Sequence, residues 1–264
     1  MTTPVQRQQQ ILQRLEDESY ASVAALAREL GCSDMTIRRD LARLESRGLV
    51  ERSRGGAAPT RRVRLEFALA GAADSRRGEK ELIGRAAADL VQPGERIILD
   101  TGSTTLAMAR ELRGREGISV VTTSLAALSA LLPSKGIEVM LVGGIVRDSS
   151  PDLYGPLVED NLSRIHADWA FIGCDGLSVD AGLTTTDPRV ARATSLMATG
   201  ARRSALLTDS SKARQNSFIT FASLGDLDYL ITDDEMPAPV LDAARSAGVE
   251  TILVGSAVSA EGKA

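Results

Sequence analysis

Ser33-Asp34-Met35-Thr36-Ile37-Arg38-Arg39-Asp40-Leu41 is the stretch that decides how this 264-residue chain begins. Ser33 is a helix N-cap, and Ile37, Leu41 and Leu44 recur at i, i+4 and i+7 on one face of a helix that Gly48 ends after about Arg47. Met35, Thr36, Arg39 and Arg43 stand largely opposite, with Arg38 on the flank. That polar, basic outer face has the side chains DNA asks for. Thr36 suits a phosphate or a thymine methyl, and Arg38 and Arg39 carry the planar fork that matches guanine O6 and N7. Asp40 beside them is read as a residue that orients one of these arginines rather than touching DNA.

Upstream, Thr3 and Pro4 start a first helix with Ile11, Leu12 and Leu15 at helical spacing, interrupted from Asp17 to Tyr20. Ser22 caps a short second helix with Leu26, Ala27 and Leu30 inward, ended by Gly31. Downstream, Leu49 to Ala57 reads as a short alternating strand with a Gly55-Gly56 turn, enough for a two-stranded wing with Arg52 and Arg54 on one side. Two helices that clamp a third, followed by a wing, make a winged helix-turn-helix. The competing reading is a small helical oligomerisation module.

The charge is divided in the same way. Residues 1–64 hold 12 arginines, no lysine and 8 acidic residues, a net +4, whereas the rest carries 19 basic and 27 acidic residues, a net −8. An acidic body repels phosphate backbone, so any DNA contact belongs to the N-terminal part. Two cysteines far apart and one histidine cannot furnish a zinc site without carboxylates standing in, nor a disulfide framework, and no metal or cofactor is expected. With no signal peptide and no apolar run of membrane length, the expected place is the cytoplasm, with no membrane partner. Aromatic residues at 3% leave almost nothing for a base-stacking platform.

From Glu79 onward, helices alternate with short apolar strands at Ile97–Leu99, Val120–Thr122, Val139–Val142, Trp169–Ile172, Ala205–Leu207, Tyr229–Ile231 and Ile252–Val254. This pattern predicts an α/β domain with a mainly parallel sheet. The expected division is a DNA-binding domain at 1–58, a linker at 59–77, with or without a short helix, and a second domain at 78–264. In open α/β sheets, ligands sit beyond the carboxyl ends of strands. After the first strand comes Asp100-Thr101-Gly102-Ser103-Thr104-Thr105, a phosphate-loop composition: Gly102 lets the backbone approach and the following helix aims its unpaired N–H groups at an anion. An ordinary helix cap is the plainer explanation. Thr122-Thr123-Ser124, Val142-Gly143-Gly144 and Gly173-Cys174-Asp175-Gly176 repeat the theme after later strands. Lys212, in Asp209-Ser210-Ser211-Lys212, can add an ammonium on the phosphate or sugar side, unless it is a solvated surface lysine. Neither G-x-G-x-x-G nor G-x-x-x-x-G-K-[ST] occurs, so a small phosphorylated molecule fits better than a dinucleotide or nucleoside triphosphate. His166 and Trp169 read as packing or edge residues.

The segment "LARELGCSDMTIRRDLARLESRGLVERSRGGA" resembles the winged helix-turn-helix of the DeoR family of bacterial transcription regulators, in its Thr-Ile-Arg-Arg-Asp-Leu core and Gly-Gly wing. The resemblance implies operator contacts from Ser33, Thr36, Arg38, Arg39, Arg52 and Arg54; Arg54 stands where the family commonly has histidine. "LVGGIVR", "ADWAFIGCDGL", "GLTTTD" and "DSSK" are similar to the family's sensor domain, which shares the fold of ribose-5-phosphate isomerase and binds a phosphorylated sugar or sugar alcohol. Carried over, this implies an effector site of Asp100, Gly102, Ser103, Thr104, Thr105, Thr123, Ser124, Gly143, Gly144, Arg147, Asp175 and Lys212. Pro188-Arg189-Val190 and Thr194-Ser195 replace the Glu and Lys-Arg that relatives often carry.

The function expected is a homodimeric or homotetrameric regulator, a repressor of a carbohydrate-metabolism operon, with operator DNA and a sugar phosphate as partners and no catalytic residues. The alternative is a sugar-phosphate isomerase fused to a DNA-binding head, with Asp175 or Asp100 as base and Lys212 as phosphate anchor.

Overall fold

The computed structural model describes residues 3–18, 20–60, 76–147, 150–213 and 215–255. Two compact units divide the chain: Met1–Ser75 with Asp148–Pro151, and Arg76–Arg147 with Asp152–Ala264. Most of the expected linker, residues 61–75, lies outside the described residues, as does any short helix within it.

In the first unit, α1 (Pro4–Asp17) starts at Thr3, where a capping box with Gln6 satisfies end groups the helix cannot pair itself. β1 (Ala21–Ser22) leads into α2 (Val23–Glu29), capped by Ser22, and α3 (Asp34–Ser46) is capped by Ser33. Ile11, Leu15, Leu26, Ile37, Leu41 and Leu44 close one core between the three helices, as their spacing requires. β2 (Val50–Ser53) and β3 (Gly56–Pro59) form the wing. The expected two-stranded wing is in fact three-stranded, in the order β1-β3-β2, because Ala21 and Ser22 pair with Ala57 and Gly56. The strand also ends sooner than its alternation promised. Beyond Val50, residues 51–53 are all exposed on the edge strand β2, and Arg54 lies on the turn rather than sharing a strand face with Arg52.

The second unit begins with α4 (Arg77–Leu90) and β4 (Arg96–Leu99), followed by α5 (Ser103–Glu111), β5 (Ile118–Thr122), α6 (Leu125–Leu131) and β6 (Ile137–Leu141). A hairpin of β7 (Ile145–Val146) and β8 (Leu153–Tyr154) precedes α7 (Pro156–Leu162) and β9 (Ala167–Ile172). Then come β10 (Gly176–Ser178), β11 (Gly182–Thr185), α8 (Pro188–Thr199), β12 (Ala201–Leu207), β13 (Ile219–Ala222), β14 (Tyr229–Asp233), α9 (Ala238–Ser246) and β15 (Glu250–Val254). Seven strands make one parallel sheet in the order β15-β14-β12-β9-β4-β5-β6. Central strands buried on both faces explain the unbroken apolar runs, such as Ile97-Ile98-Leu99, with Ile98, Ala170, Ile172, Leu206 and Leu230 meeting Val158, Met197 and Val240 of α7, α8 and α9. A small antiparallel sheet, β10-β11-β13, stands beside it.

The order of strands fixes where a ligand can enter. From β4 the chain runs outward through β5 and β6, then returns to lay β9 on the other side of β4 and runs out through β12, β14 and β15. β4 and β9 therefore flank the switch point of the sheet, and open α/β sheets bind ligands beyond the carboxyl ends of such strands.

Candidate functional site

On α3 the outward residues divide into two kinds. Ser33 and Thr36 also secure the helix start: Ser33 Oγ accepts the Thr36 N–H at 3.2 Å and lies 2.9 Å from the Thr36 hydroxyl. Arg38 and Arg39 are exposed and have no ion-pair partner among the described residues, so both guanidinium forks are available to an outside acceptor. Arg52 leans back toward Glu45, Nη1 to Oε2 3.4 Å, an exposed pair of small worth, and Arg54 is exposed on the turn. The expectation for Asp40 is corrected. Its side chain is buried and turned away from Arg38 and Arg39, accepting from Arg7 Nε at 2.5 Å and Gln8 Nε2 at 3.1 Å on α1. A carboxylate at this position falls on the core side of α3, so it ties the helix to Arg7 and Gln8 of α1 and not to Arg38 or Arg39.

At the switch point, the β4 and β9 loops are stitched together. The Asp100 N–H donates to Phe171 O at 3.0 Å, and Asp100 Oδ2 accepts the Gly173 N–H at 3.2 Å and the Thr194 hydroxyl at 3.4 Å. Asp100 is buried, and its desolvation pushes the carboxyl up to about 7 against the pull of these bonds. Gly102 is the N-cap of α5 at φ +123°, a conformation L side chains rarely adopt. Only Thr105 Oγ1, at 3.8 Å, approaches where a Cβ would stand, so the glycine is required by the backbone angle and not by crowding. Ser103 is exposed at the first turn, whereas Thr104 and Thr105 are buried and the Thr105 hydroxyl donates to Gly102 O at 3.1 Å. The first turn of α5 thus starts at the switch point with no side-chain cap and with Ser103 exposed beside it.

On the next strand, Thr122 donates to Leu99 O at 2.7 Å and accepts the Ser124 N–H, while Ser124 caps α6 through the Ala127 N–H; Thr123 and Ser124 are both buried. Gly143 is exposed beyond β6, and Gly144 sits so close to Val158 and Tyr154 O that no Cβ would fit. The β7–β8 hairpin, which sequence reading missed, folds back over β5: Leu153 N–H donates to Thr123 O at 3.0 Å, and Asp152 pairs with Ser124. It brings Arg147, held by two 2.8 Å bonds to Asp152 and lying 3.8 Å from Asp187. Arg189 pairs with Asp187 at 2.6 Å and covers the Tyr154 ring at 4.4 Å. Asp152 and Tyr154 carry no local signal in the sequence; Asp187 closes the "GLTTTD" motif, and Arg189 follows it as a departure from the family pattern.

Past the end of β9, Asp175 accepts from Thr185 Oγ1 at 2.8 Å and from the Thr186 N–H at 2.9 Å. Burial pushes its carboxyl up, but these bonds and the Lys212 charge outweigh burial and hold it below the usual range. Lys212 is half-buried on a single 3-10 turn, Ser210–Lys212, just past β12. The expected residues therefore come from five neighbouring strand ends, β12, β9, β4, β5 and β6, a row about 19 Å wide at the ordinary strand spacing. The glycine-capped helix lies at its centre. Cys32 and Cys174 are free, and burial pushes the Cys174 thiol up to about 12. Trp169 is buried, stacked on Phe171 at 5.3 Å and lying under Arg203, while His166 is exposed at the surface. No helix among the described residues is long and apolar enough to cross a membrane.

A winged helix-turn-helix with free arginines on its third helix, joined to an α/β unit with a helix N-terminus at its strand switch point, is the build of a ligand-responsive DNA-binding protein. The DeoR-like helix-turn-helix domain matches residues 7–62 and the DeoR C terminal sensor domain residues 75–234. The chain is 35% identical over 257 residues to a putative aga operon transcriptional repressor of Escherichia coli O157:H7, covering 97% of this chain and 96% of that protein. It is 33% identical over 244 residues to the transcriptional repressor GlcR of Bacillus subtilis, covering 92% and 93%. Ribose 5 phosphate isomerase A from Neisseria gonorrhoeae overlays 51% of this chain and 52% of its own at TM-score 0.38 and 18% identity. The chain belongs to the DeoR family of helix-turn-helix transcriptional regulators.

Proposed function

We propose that this protein is a cytoplasmic repressor of a carbohydrate-metabolism operon whose second unit binds a phosphorylated sugar or sugar alcohol. The observation that carries the reading is the α5 N-terminus at the β4–β9 switch point, where Gly102 holds a backbone angle that presents N–H groups to an anion. The phosphate sits there, beside Ser103, with Lys212 adding charge from the β12 side and Asp175 taking sugar hydroxyls. Thr104, Thr105, Thr123, Ser124, Gly143 and Gly144 shape the wall; Asp100 and Asp152 hold its seams, and Arg147 closes the β6 side. Operator DNA is read by Arg38 and Arg39, with Ser33, Thr36, Arg52 and Arg54 at the backbone. Pairing of heads in a homodimer or homotetramer supplies the half-site binding that one helix and wing lacks. The names of the relatives, a putative aga operon transcriptional repressor and the transcriptional repressor GlcR, support the repressor reading.

One observation favours a sugar-phosphate isomerase: a buried carboxyl at about 7 is poised for proton transfer. Asp100, however, already accepts from Gly173 and Thr194, and its burial keeps it out of reach of a substrate carbon. Titrating the full chain by calorimetry with glycerol 3-phosphate, ribose 5-phosphate and glucose 6-phosphate, with turnover followed in parallel, tests both. Binding without turnover, together with release of a DNA duplex selected from a random pool, is the expected result; turnover of a bound compound overturns it.

A further inference from the structure

Asp209, two residues past β12, and Asp233, the last residue of the adjacent parallel strand β14, are each only 1% exposed. Two like charges at neighbouring strand ends are costly to bury unless bonded and neutralised. Both conditions are met. Asp233 Oδ2 accepts the Ser210 N–H at 2.7 Å, and Asp209 Oδ1 accepts the Ser211 N–H at 3.0 Å, so the two carboxylates are the floor on which the turn bearing Lys212 is built. The neutralising cations come from the start of α4. Arg76 lies 3.8 Å from Asp209, 3.6 Å from Asp233 and 2.7 Å from Glu235, and Lys80, itself buried, lies 3.8 Å from Asp209. Cations in the first turn of a helix oppose its dipole, so this placement is a cost that the facing carboxylates offset. Arg76 is also where the second unit begins, the point at which the chain comes in from the DNA-binding head.

We propose that Asp209 and Asp233 are positioning residues for Lys212 which, through Arg76 and Lys80, couple the effector site to the first turn of α4. The proposal rests on the effector reading above. A phosphate that draws the Lys212 ammonium shifts the Ser210–Lys212 turn on its two carboxylates, and the grip of those carboxylates on Arg76 and Lys80 changes with it. Linkage makes the coupling reciprocal: loosening Arg76 must alter the Lys212 turn.

The test uses the full chain and its Arg76→Gln and Asp233→Asn variants, the second keeping an acceptor for Ser210 while losing the charge that faces Arg76. Hydrogen exchange should quicken at least tenfold at the Ser210 and Ser211 amides in Arg76→Gln, with the β4 amides unchanged. A role confined to α4 stability would quicken exchange in α4 alone. With the three sugar phosphates above and inorganic phosphate as probes, Arg76→Gln should keep probe-free DNA affinity within twofold and lose most of the probe-induced change. Lys80→Met gives the same readouts should Arg76→Gln fold poorly. Unchanged exchange at Ser210 and Ser211 overturns the coupling alone. Failure of every probe to bind the wild-type chain overturns the effector reading, and the signalling role with it, while the exchange result still decides whether Arg76 and the turn are linked.

Discussion

Arg7 reaches from α1 to Asp40 in the middle of α3, its Nε 2.5 Å from Oδ2, with both side chains largely withdrawn from water. The pair fixes the rotation of α3 and hence the direction in which Arg38 and Arg39 point. Asp40→Ala removes the carboxylate that a mostly buried guanidinium faces and should destabilise the head by about 3 kcal/mol. An Arg7→Met, Asp40→Leu double variant should lose less than Asp40→Ala alone. Thermal unfolding followed through the head's own transition decides; equal losses would mean the ion pair has no special part.

Arg39→Ala should weaken operator binding by about 1–3 kcal/mol and leave the unfolding of both units unchanged, because its side chain is exposed and pairs with nothing in the described protein. For Arg38, on the flank, a uniform loss across DNA sequences with a salt slope lower by about one marks a phosphate contact, and a loss at one base position marks a base contact. Gel-shift titrations at several salt concentrations separate the two.

Gly102→Val should abolish sugar-phosphate binding. At φ +123° the strain comes from the backbone, so even Gly102→Ala should be destabilising, by about 1–2 kcal/mol, and should weaken binding sharply. Lys212→Ala removes one charge and leaves the helix N-terminus in place, so a partial loss of about 1–3 kcal/mol is expected. Calorimetry on the three variants orders them; wild-type affinity in a folded Gly102→Val chain would move the phosphate elsewhere.

Asp100 gives the second unit a pH signature. Its carboxyl is raised by burial from 3.8 to about 7, so the folded state binds the proton more tightly than the unfolded state. This contribution is complete below about pH 4 and is lost as pH rises toward 7, a change on the order of a few kcal/mol. Asp175, Asp187 and Asp226 are shifted the other way and lose their contribution on acidification. Asp100→Asn isolates the effect: relative to wild type it should gain stability as pH rises from 4 to 8 in denaturant unfolding, and a constant difference would show that Asp100 does not titrate in this window.

The helices and the seven main strands were legible because each carries its own period: Ile37, Leu41 and Leu44 for α3, and the doubly buried run Ile97-Ile98-Leu99 for β4. Loops such as Asp100–Thr105 were legible as turn chemistry placed after a strand. What escaped was short or distant. β1, β7 and β8 have two residues each, too few for any periodicity, yet β7 and β8 bring Arg147 back over β5. The inward turn of Asp40 escaped for a different reason: a carboxylate beside two arginines reads as their partner until the helix it faces is known. The meeting of Arg76 with Asp209 and Asp233 joins residues with no local spacing to announce it.

The placement of β9 against β4 also sets a timetable for a chain made from its N-terminus. Ile97 finds Val120 early, but its neighbour on the other side, Trp169, is added only after β5, β6 and the hairpin. Until then β4 has a bare edge, the kind of edge that recruits wrong partners. The head is finished long before, with its own apolar centre. A nascent chain halted before Ala167 therefore carries a finished helix-turn-helix core and a half-built sheet, so an early stop leaves a folded head on a chain whose β4 edge is still open.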